Sequence, residues 1–313
     1  MSSYKRADFA PLRDTVYGLG FHWTTWTAPR EGELLPFDEA VERFDVGAFV
    51  QQAVDCGAGH VLITSCHELQ YLPTPNPFVE ALLPGRTCKR DLLMEIADGL
   101  IEADIKFCLY YHHGTDGAHQ DPTWWEACGA GLADQSLFYD NYCNIVGWIG
   151  DHFGTKVSAL WFDAGYSLIA RGDVPWERLT ETAKQGNPNR LICYNSGIEN
   201  HTMYTPLQDY WAGEVVGVKF RPQGMLTPAG LPWYTFTALH PLPASPDCGE
   251  WGINMGNQHL EVPAPGLEET VDYIKAFQSC EGCVTFNMLC YQDGTIYAPD
   301  LKLMKQVAEV IRK

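Results

Sequence analysis

The sequence predicts an α/β fold, a (β/α)8 TIM-type barrel forming a single domain over residues 1–313, and three observations carry that prediction. Short, nearly continuous apolar runs alternate with amphipathic segments along the whole chain. Strands apolar on both faces belong to parallel sheets covered by helices, and eight such units close into a barrel. A chain of 313 residues is of the size such barrels have, and no low-complexity tract or linker divides it.

The elements read in order as follows. TVYGLGFHW (15–23) is a strand, and DVGAFVQQAVDCG (45–57) a helix with Phe49, Val50, Ala53 and Val54 on one face and Gly57 as its stop. HVLITSC (60–66) is the second strand, and RDLLMEIADGLIEADI (90–105) a helix with Leu92, Leu93, Ile96, Leu100 and Ile101 on one stripe. KFCLYYHH (106–113) is the third strand, SLFYDNYCNIVGWIGDHFG (136–154) a helix, and ALWFDAG (159–165) the fourth strand. PWERLTETAKQ (175–185) is a helix with proline in its first turn, followed by the strand RLICYNS (190–196). EVVGVKF (214–220) and WYTFTAL (233–239) read as strands, LEETVDYIKAFQS (267–279) as a helix, CVTFNMLC (283–290) as the last strand, and 298–313 as the closing helix. Gly and Pro punctuate 198–232, where no helix is expected.

The net charge of −18 repels phosphate backbones and anionic lipid, so neither nucleic acid nor a membrane surface is an expected partner. A neutral ligand such as a sugar is unaffected. Eleven cysteines, an odd number, form no spacing framework. The pair Cys280 and Cys283 has no second pair to complete a zinc site and reads as two reduced thiols flanking a helix-to-strand turn. That usage, with no apolar signal core and no apolar run of transmembrane length, leads us to expect a cytoplasmic protein.

Polar residues gather at the strand ends, where the site of such a barrel lies. Strand one ends at His22-Trp23, strand two at Cys66-His67-Glu68, strand three at Tyr111-His112-His113, strand four at Asp163 and strand five at Tyr194-Asn195-Ser196; the last strand carries Asn287. A charge at the end of a buried strand costs several kcal/mol unless it is paired or used. One histidine at a strand end can be a structural hydrogen-bonding group, and one aspartate can be a helix N-cap. Five such ends on one rim point to a site.

LWFDAGY (160–166) resembles the nucleophile strand of the alpha-L-fucosidase family of retaining glycoside hydrolases. LGFHWTTWTAP, RFDVGAFVQQAVDCGAGHVLITSCHE, RDLLMEIADGLIEADIKFCLYYHHG, WYTFTAL, EWGIN and VTFNMLCYQDGTI are similar, in the same order, to successive parts of that family's barrel. The resemblance implies Asp163 as nucleophile, His22 and His67 as hydrogen-bond partners of sugar hydroxyls, Tyr111 near the reacting carbon and Trp161 in the pocket wall; Trp23, His112 and Asn195 complete the expected substrate-binding set. The chain departs from the family at Cys66, where two adjacent histidines are usual. It departs again at Asn195-Ser196-Gly197, where an arginine is missing, and at Leu207, where a glutamate often follows Thr-Pro. The β-sandwich that many members append is not expected.

A retaining mechanism needs a second carboxyl about 5–5.5 Å from the first. Glu214 is the first candidate for acid/base and Asp209 the second, with Glu199, Glu68, His112 and His113 as further options. The expectation is an exo-acting, fucosidase-like glycosidase taking a small-molecule or oligosaccharide substrate, without metal or cofactor, its oligomeric state open. Two alternatives stand beside it: a carbohydrate-binding barrel that has lost hydrolysis, motivated by Gly197 and Leu207, and a metal-dependent barrel hydrolase using His22, His67, His112 and His113.

Overall fold

The computed structural model describes residues 4–116, 121–242, 245–259 and 264–313. Its strands are β1 (Tyr17–Phe21), β2 (His60–Thr64), β3 (Lys106–Tyr111), β4 (Val157–Phe162), β5 (Leu191–Tyr194), β6 (Glu214–Val216), β7 (Tyr234–Ala238), β8 (Pro241–Leu242), β9 (Ser245–Gly249) and β10 (Cys283–Asn287). Eight of these form one parallel sheet in the order β5-β4-β3-β2-β1-β10-β7-β6, and helices follow most of them, as a (β/α)8 barrel requires.

Strand residues alternate between two packing environments. Leu62, Cys108, Tyr110, Ala159, Trp161, Cys193, Tyr234, Phe236 and Cys283 form one cluster, inside the barrel. Their neighbours Val61, Ile63, Phe107, Leu109, Tyr111, Leu160, Phe162, Ile192 and Tyr194 pack outward into the helical layer. The interior is tight enough that β1 has no room for side chains along part of its inner face. A Cβ on Gly20 would stand 2.2 Å from the Phe236 ring.

The sixth unit departs from the expected 214–220 strand. β6 stops at Val216 because Gly217 takes a left-handed conformation (φ 71°). β6 is also set high against its neighbour, with Glu214 opposite Phe236, the third residue of β7. That register lifts the first residue of β6 to the level where other strands end. No ladder joins β5 to β6. The stretch 209–213 fills the seam instead: Asp209 N–H donates to Ile192 O at 2.8 Å, Trp161 Nε1–H to Ala212 O at 2.8 Å, and Phe236 N–H to Gly213 O at 2.8 Å.

Short helices over Pro77–Leu82 and Pro122–Ala127 have no periodic apolar pattern to announce them, yet each has a local cause. Asn76 and Asp121 cap them by accepting from first-turn amides, and proline occupies N1. The antiparallel β8–β9 ribbon and the helix Gly165–Ala170 are likewise additions to the sequence reading.

Asp209 is not a rim residue. Its carboxylate is fully buried in the seam, where Oδ2 accepts from Lys184 Nζ at 2.9 Å and from Ile192 N–H at 3.0 Å. Oδ1 accepts from Tyr4 Oη at 3.1 Å and Ala7 N–H at 2.8 Å. Those bonds fasten the N-terminal segment, whose Phe9 and Leu12 join the interior cluster. Ile192 lies three residues before Asn195 on β5, roughly 10 Å lower at the rise of a strand. Asp209 is a structural anchor with all its bonding capacity spent, so it is displaced as an acid/base candidate.

Removing it strands Lys184 and two backbone amides. Asp209→Ala should lower unfolding stability by roughly 3–5 kcal/mol in denaturant titrations. A loss below about 1 kcal/mol would mean that water replaces the carboxylate at little cost.

Candidate active site

Inward alternation along β4 runs Ala159, Trp161, Asp163, so the aspartate continues the interior face one step beyond the strand. Its backbone N–H still donates to Tyr111 O at 2.9 Å, which holds it in the sheet. Ala164 then turns into the left-handed region (φ 54°), and its N–H donates to Asp163 Oδ1 at 2.6 Å. Gly165 follows because a Cβ there would stand 2.7 Å from Asn195 O. The small pair after the aspartate is thus what lets the chain turn away while the carboxylate points inward.

Asn195 lies at the same level at the end of β5. Its Nδ2 donates to Asp163 Oδ1 at 2.8 Å and to Glu214 Oε2 at 2.7 Å. Gly197 N–H fixes the amide oxygen at 3.0 Å. Two carboxylate oxygens bonded to one nitrogen are no more than about 5.5 Å apart, closer than the roughly 6.5–9.5 Å that an inverting glycosidase needs. Burial, reinforced by the charge of Asp163 and opposed by the Asn195 bond, pushes the Glu214 carboxyl up to about 7.

The other oxygen of Asp163, Oδ2, accepts from Tyr110 Oη. Burial, and then the Asp163 charge, raises the Tyr110 phenol far above its ordinary range, so it remains a donor. Tyr110, not the expected Tyr111, is the tyrosine at this site. Tyr111 faces outward and packs against Tyr142 and Phe162. The signal lies in the strand period of two, which sets Cys108, Tyr110 and His112 on one side of β3.

His22 Nδ1 lies 2.8 Å from Asn287 Oδ1, while Asn287 Nδ2 donates to Trp251 O at 2.9 Å. An amide oxygen only accepts, so His22 Nδ1 carries the hydrogen and Nε2 keeps a lone pair. Burial lowers the pKa of this ring, which favours the neutral form. A cavity of about 160 Å3 is lined by His22, His67, Tyr110, Trp161, Asp163, Glu214, Phe236 and Trp251. That space suits one small ring, being well below the roughly 300–1,000 Å3 of drug-sized pockets. Trp161 stacks on Tyr110 with centroids 5.1 Å apart, and its Nε1–H is spent on Ala212 O. Phe236 and Trp251 line the cavity without having been expected there; strand period would have found Phe236, whereas Trp251 lies outside any strand.

Trp23 does not join the cavity. It is buried against Phe37 and Phe44, and its Nε1–H donates to Gln292 O at 3.2 Å. His112 lies behind His67, stacked on it at 4.8 Å. Burial works to lower the His112 pKa, but its contact with Asp116 and the charges of Asp163, Asp116 and Glu68 outweigh that and raise it. His113 faces Thr115, Ala164 O and Ser167. Cys66 donates its thiol to His112 O at 3.2 Å, and burial pushes the thiol up to about 12. Glu199 is exposed, and neither it nor Glu68 lines the cavity. Among the described residues, no three potential ligands gather as a metal set, and no helix is long and apolar enough to cross a membrane.

No protein-family model and no curated protein sequence matches the chain. Solved structures do. The alpha-L-fucosidase AlfC from Lactobacillus casei, in complex with alpha-L-fucose product, is 14% identical with a TM-score of 0.66, over 97% of this chain and 98% of that one. A GH29 alpha-L-fucosidase from Bacteroides thetaiotaomicron, trapped as a covalent intermediate with 2-fluoro-fucosyl fluoride, is 15% identical with a TM-score of 0.65, over 100% and 76%. A bacterial fucosidase bound to a phenyltriazole pyrrolidine inhibitor is 15% identical with a TM-score of 0.65, over 100% and 75%. The resemblance read in the sequence is therefore met in three dimensions: the chain shares the barrel fold of these alpha-L-fucosidases.

The raised Glu214 carboxyl has a consequence for stability. Between its ordinary value of 4.5 and about 7, the unfolded chain releases a proton that the folded chain keeps. Stability therefore falls as pH rises through that window. The melting temperature of the wild type should drop relative to Glu214→Gln across it, and a difference constant with pH would contradict this assignment.

Proposed function

We propose that the protein is a retaining glycoside hydrolase acting on an alpha-L-fucoside or a closely related glycoside, with 1–313 as one catalytic barrel. The observation that carries this reading is the single Asn195 nitrogen bonded to both Asp163 and Glu214. Two carboxyls at that separation suit double displacement. In this reading Asp163 attacks the anomeric carbon while Glu214, protonated, delivers its hydrogen to the departing glycosidic oxygen. Glu214 then removes a proton from water, which breaks the glycosyl–Asp163 ester and restores both groups. Tyr110 donates to Asp163 and steadies the carboxylate. Neutral His22, through Nε2, and His67 receive sugar hydroxyls. The apolar corner of Trp161, Tyr110 and Phe236 suits a methyl group better than a hydroxymethyl, in keeping with a 6-deoxy sugar.

The test is kinetic. Wild type should release aryl alpha-L-fucoside products with retained configuration by NMR, and Asp163→Ala should abolish turnover. Survival of turnover in that variant would remove the nucleophile from the reading. Glu214→Gln should lose roughly 10²–10⁴-fold on glycosides with poor leaving groups and little on activated ones. The wild-type rate should fall as pH rises through about 7, where Glu214 gives up its proton, and that limb should vanish in Glu214→Gln. An alkaline limb that persists in the variant would assign the acid to another group.

A further inference from the structure

A second cavity, of about 210 Å3, adjoins the first and shares His22, His67 and Trp251 with it. Its own lining includes Thr24, Trp26, Glu250, Gly252 and Asn254, and neither Asp163 nor Glu214 reaches it. That division carries directional information. The carboxyl pair marks the position of the anomeric carbon, and Glu214 must stand beside the leaving oxygen. A space that neither carboxyl lines is set apart from the point where the leaving oxygen would be protonated. It meets the first cavity at His22 and His67, the side chains given to sugar hydroxyls in the reading above.

The walls of this space suit a sugar. Trp26 is 39% exposed, an unusual setting for an indole, with its ring edge-on to His67 at 5.6 Å. Trp251, just after β9, also lines it, tilted on both His22 and Phe236 at 5.2 Å. Apolar faces with polar edges are how proteins hold pyranose rings. The half-buried Glu250 carboxyl, which accepts from Asn257 Nδ2 at 3.3 Å, adds hydroxyl-binding capacity. The mechanism above uses neither Trp26 nor Glu250.

Resting on the glycosidase reading, we propose that the second cavity is a subsite for a further sugar unit carried on the reacting sugar, at a ring hydroxyl remote from the anomeric carbon. The preferred substrate is then a substituted glycoside rather than a bare terminal one.

Three probes test this: an aryl alpha-L-fucoside, the same fucoside bearing a hexose at O3 or O4, and a fucosyl disaccharide in which the hexose is the leaving group. Two variants change residues that line the second cavity and not the first. Trp26→Ala removes a wall. Gly252→Leu fills the space, since a Cβ there meets only His22 O at an ordinary 3.4 Å. Wild type should favour the O-substituted fucoside in kcat/KM by roughly tenfold. Both variants should cancel that preference while leaving the simple fucoside within about twofold. Rejection of the substituted fucoside by wild type would overturn the proposal. So would equal losses on all probes, which would mean that Trp26 acts through His67, or losses confined to the leaving-group disaccharide. If no probe is hydrolysed, the glycosidase reading fails separately. Calorimetry with the O-substituted fucoside then decides the subsite: heat in wild type that disappears in Gly252→Leu upholds it, and no heat in wild type overturns it.

Discussion

Two buried carboxyls sharing one pocket cannot both be charged without a large electrostatic cost, and the site is organised around that constraint. Trp161, Phe236 and Trp251 give the cavity apolar walls. Asn195 supplies one nitrogen to both groups, so neither can move without disturbing the other. Tyr110 adds a donor on the Asp163 side only. Burial first, and then the Asp163 charge, hold the Glu214 carboxyl near 7, and the Asn195 bond moderates that rise.

Most of the barrel was legible in the sequence because strands buried on both faces leave continuous apolar runs. Asp163 was legible for the same reason: a charge after Leu160-Trp161-Phe162 is conspicuous. What the linear pattern hid was orientation. Tyr110 and Tyr111 are identical neighbours, and only the alternation of faces separates the one that touches Asp163 from the one among the helices. Asp209 misled because the stretch before β6 has no periodicity, so an acid there reads equally as rim or seam. Trp23 misled differently, since His22 ends the inward set and the next residue turns away. Trp251 and Glu250 follow the β8–β9 ribbon, whose short strands leave no pattern to read.

Two departures from the fucosidase pattern, at Gly197 and Cys66, fall on groups around the carboxyl pair, and the third, Leu207, removes a glutamate. Gly197 stands where an arginine was expected, and a side chain there would meet open space. Its backbone amide instead holds Asn195, so the stretch still serves the carboxyl pair. Cys66 replaces a histidine, yet its thiol bonds to the backbone of His112 and tightens the joint between two strand ends. The imidazole and guanidinium absent from these positions are groups a sugar would feel, and the walls that remain are aromatic.

The missing ladder between β5 and β6 has a mechanical consequence. Asn195 stands on one lip of that gap and Glu214 on the other, so the contact that tunes the acid is also a rivet across the least-bonded joint of the cylinder. The joint is clasped lower down by Asp209, which in turn grips residues at the front of the chain. Loosening that distant clasp would let the lips part, and the proton affinity of the acid would drift with the width of the opening. Chemistry at the rim is thereby tied to how firmly the floor of the barrel is shut.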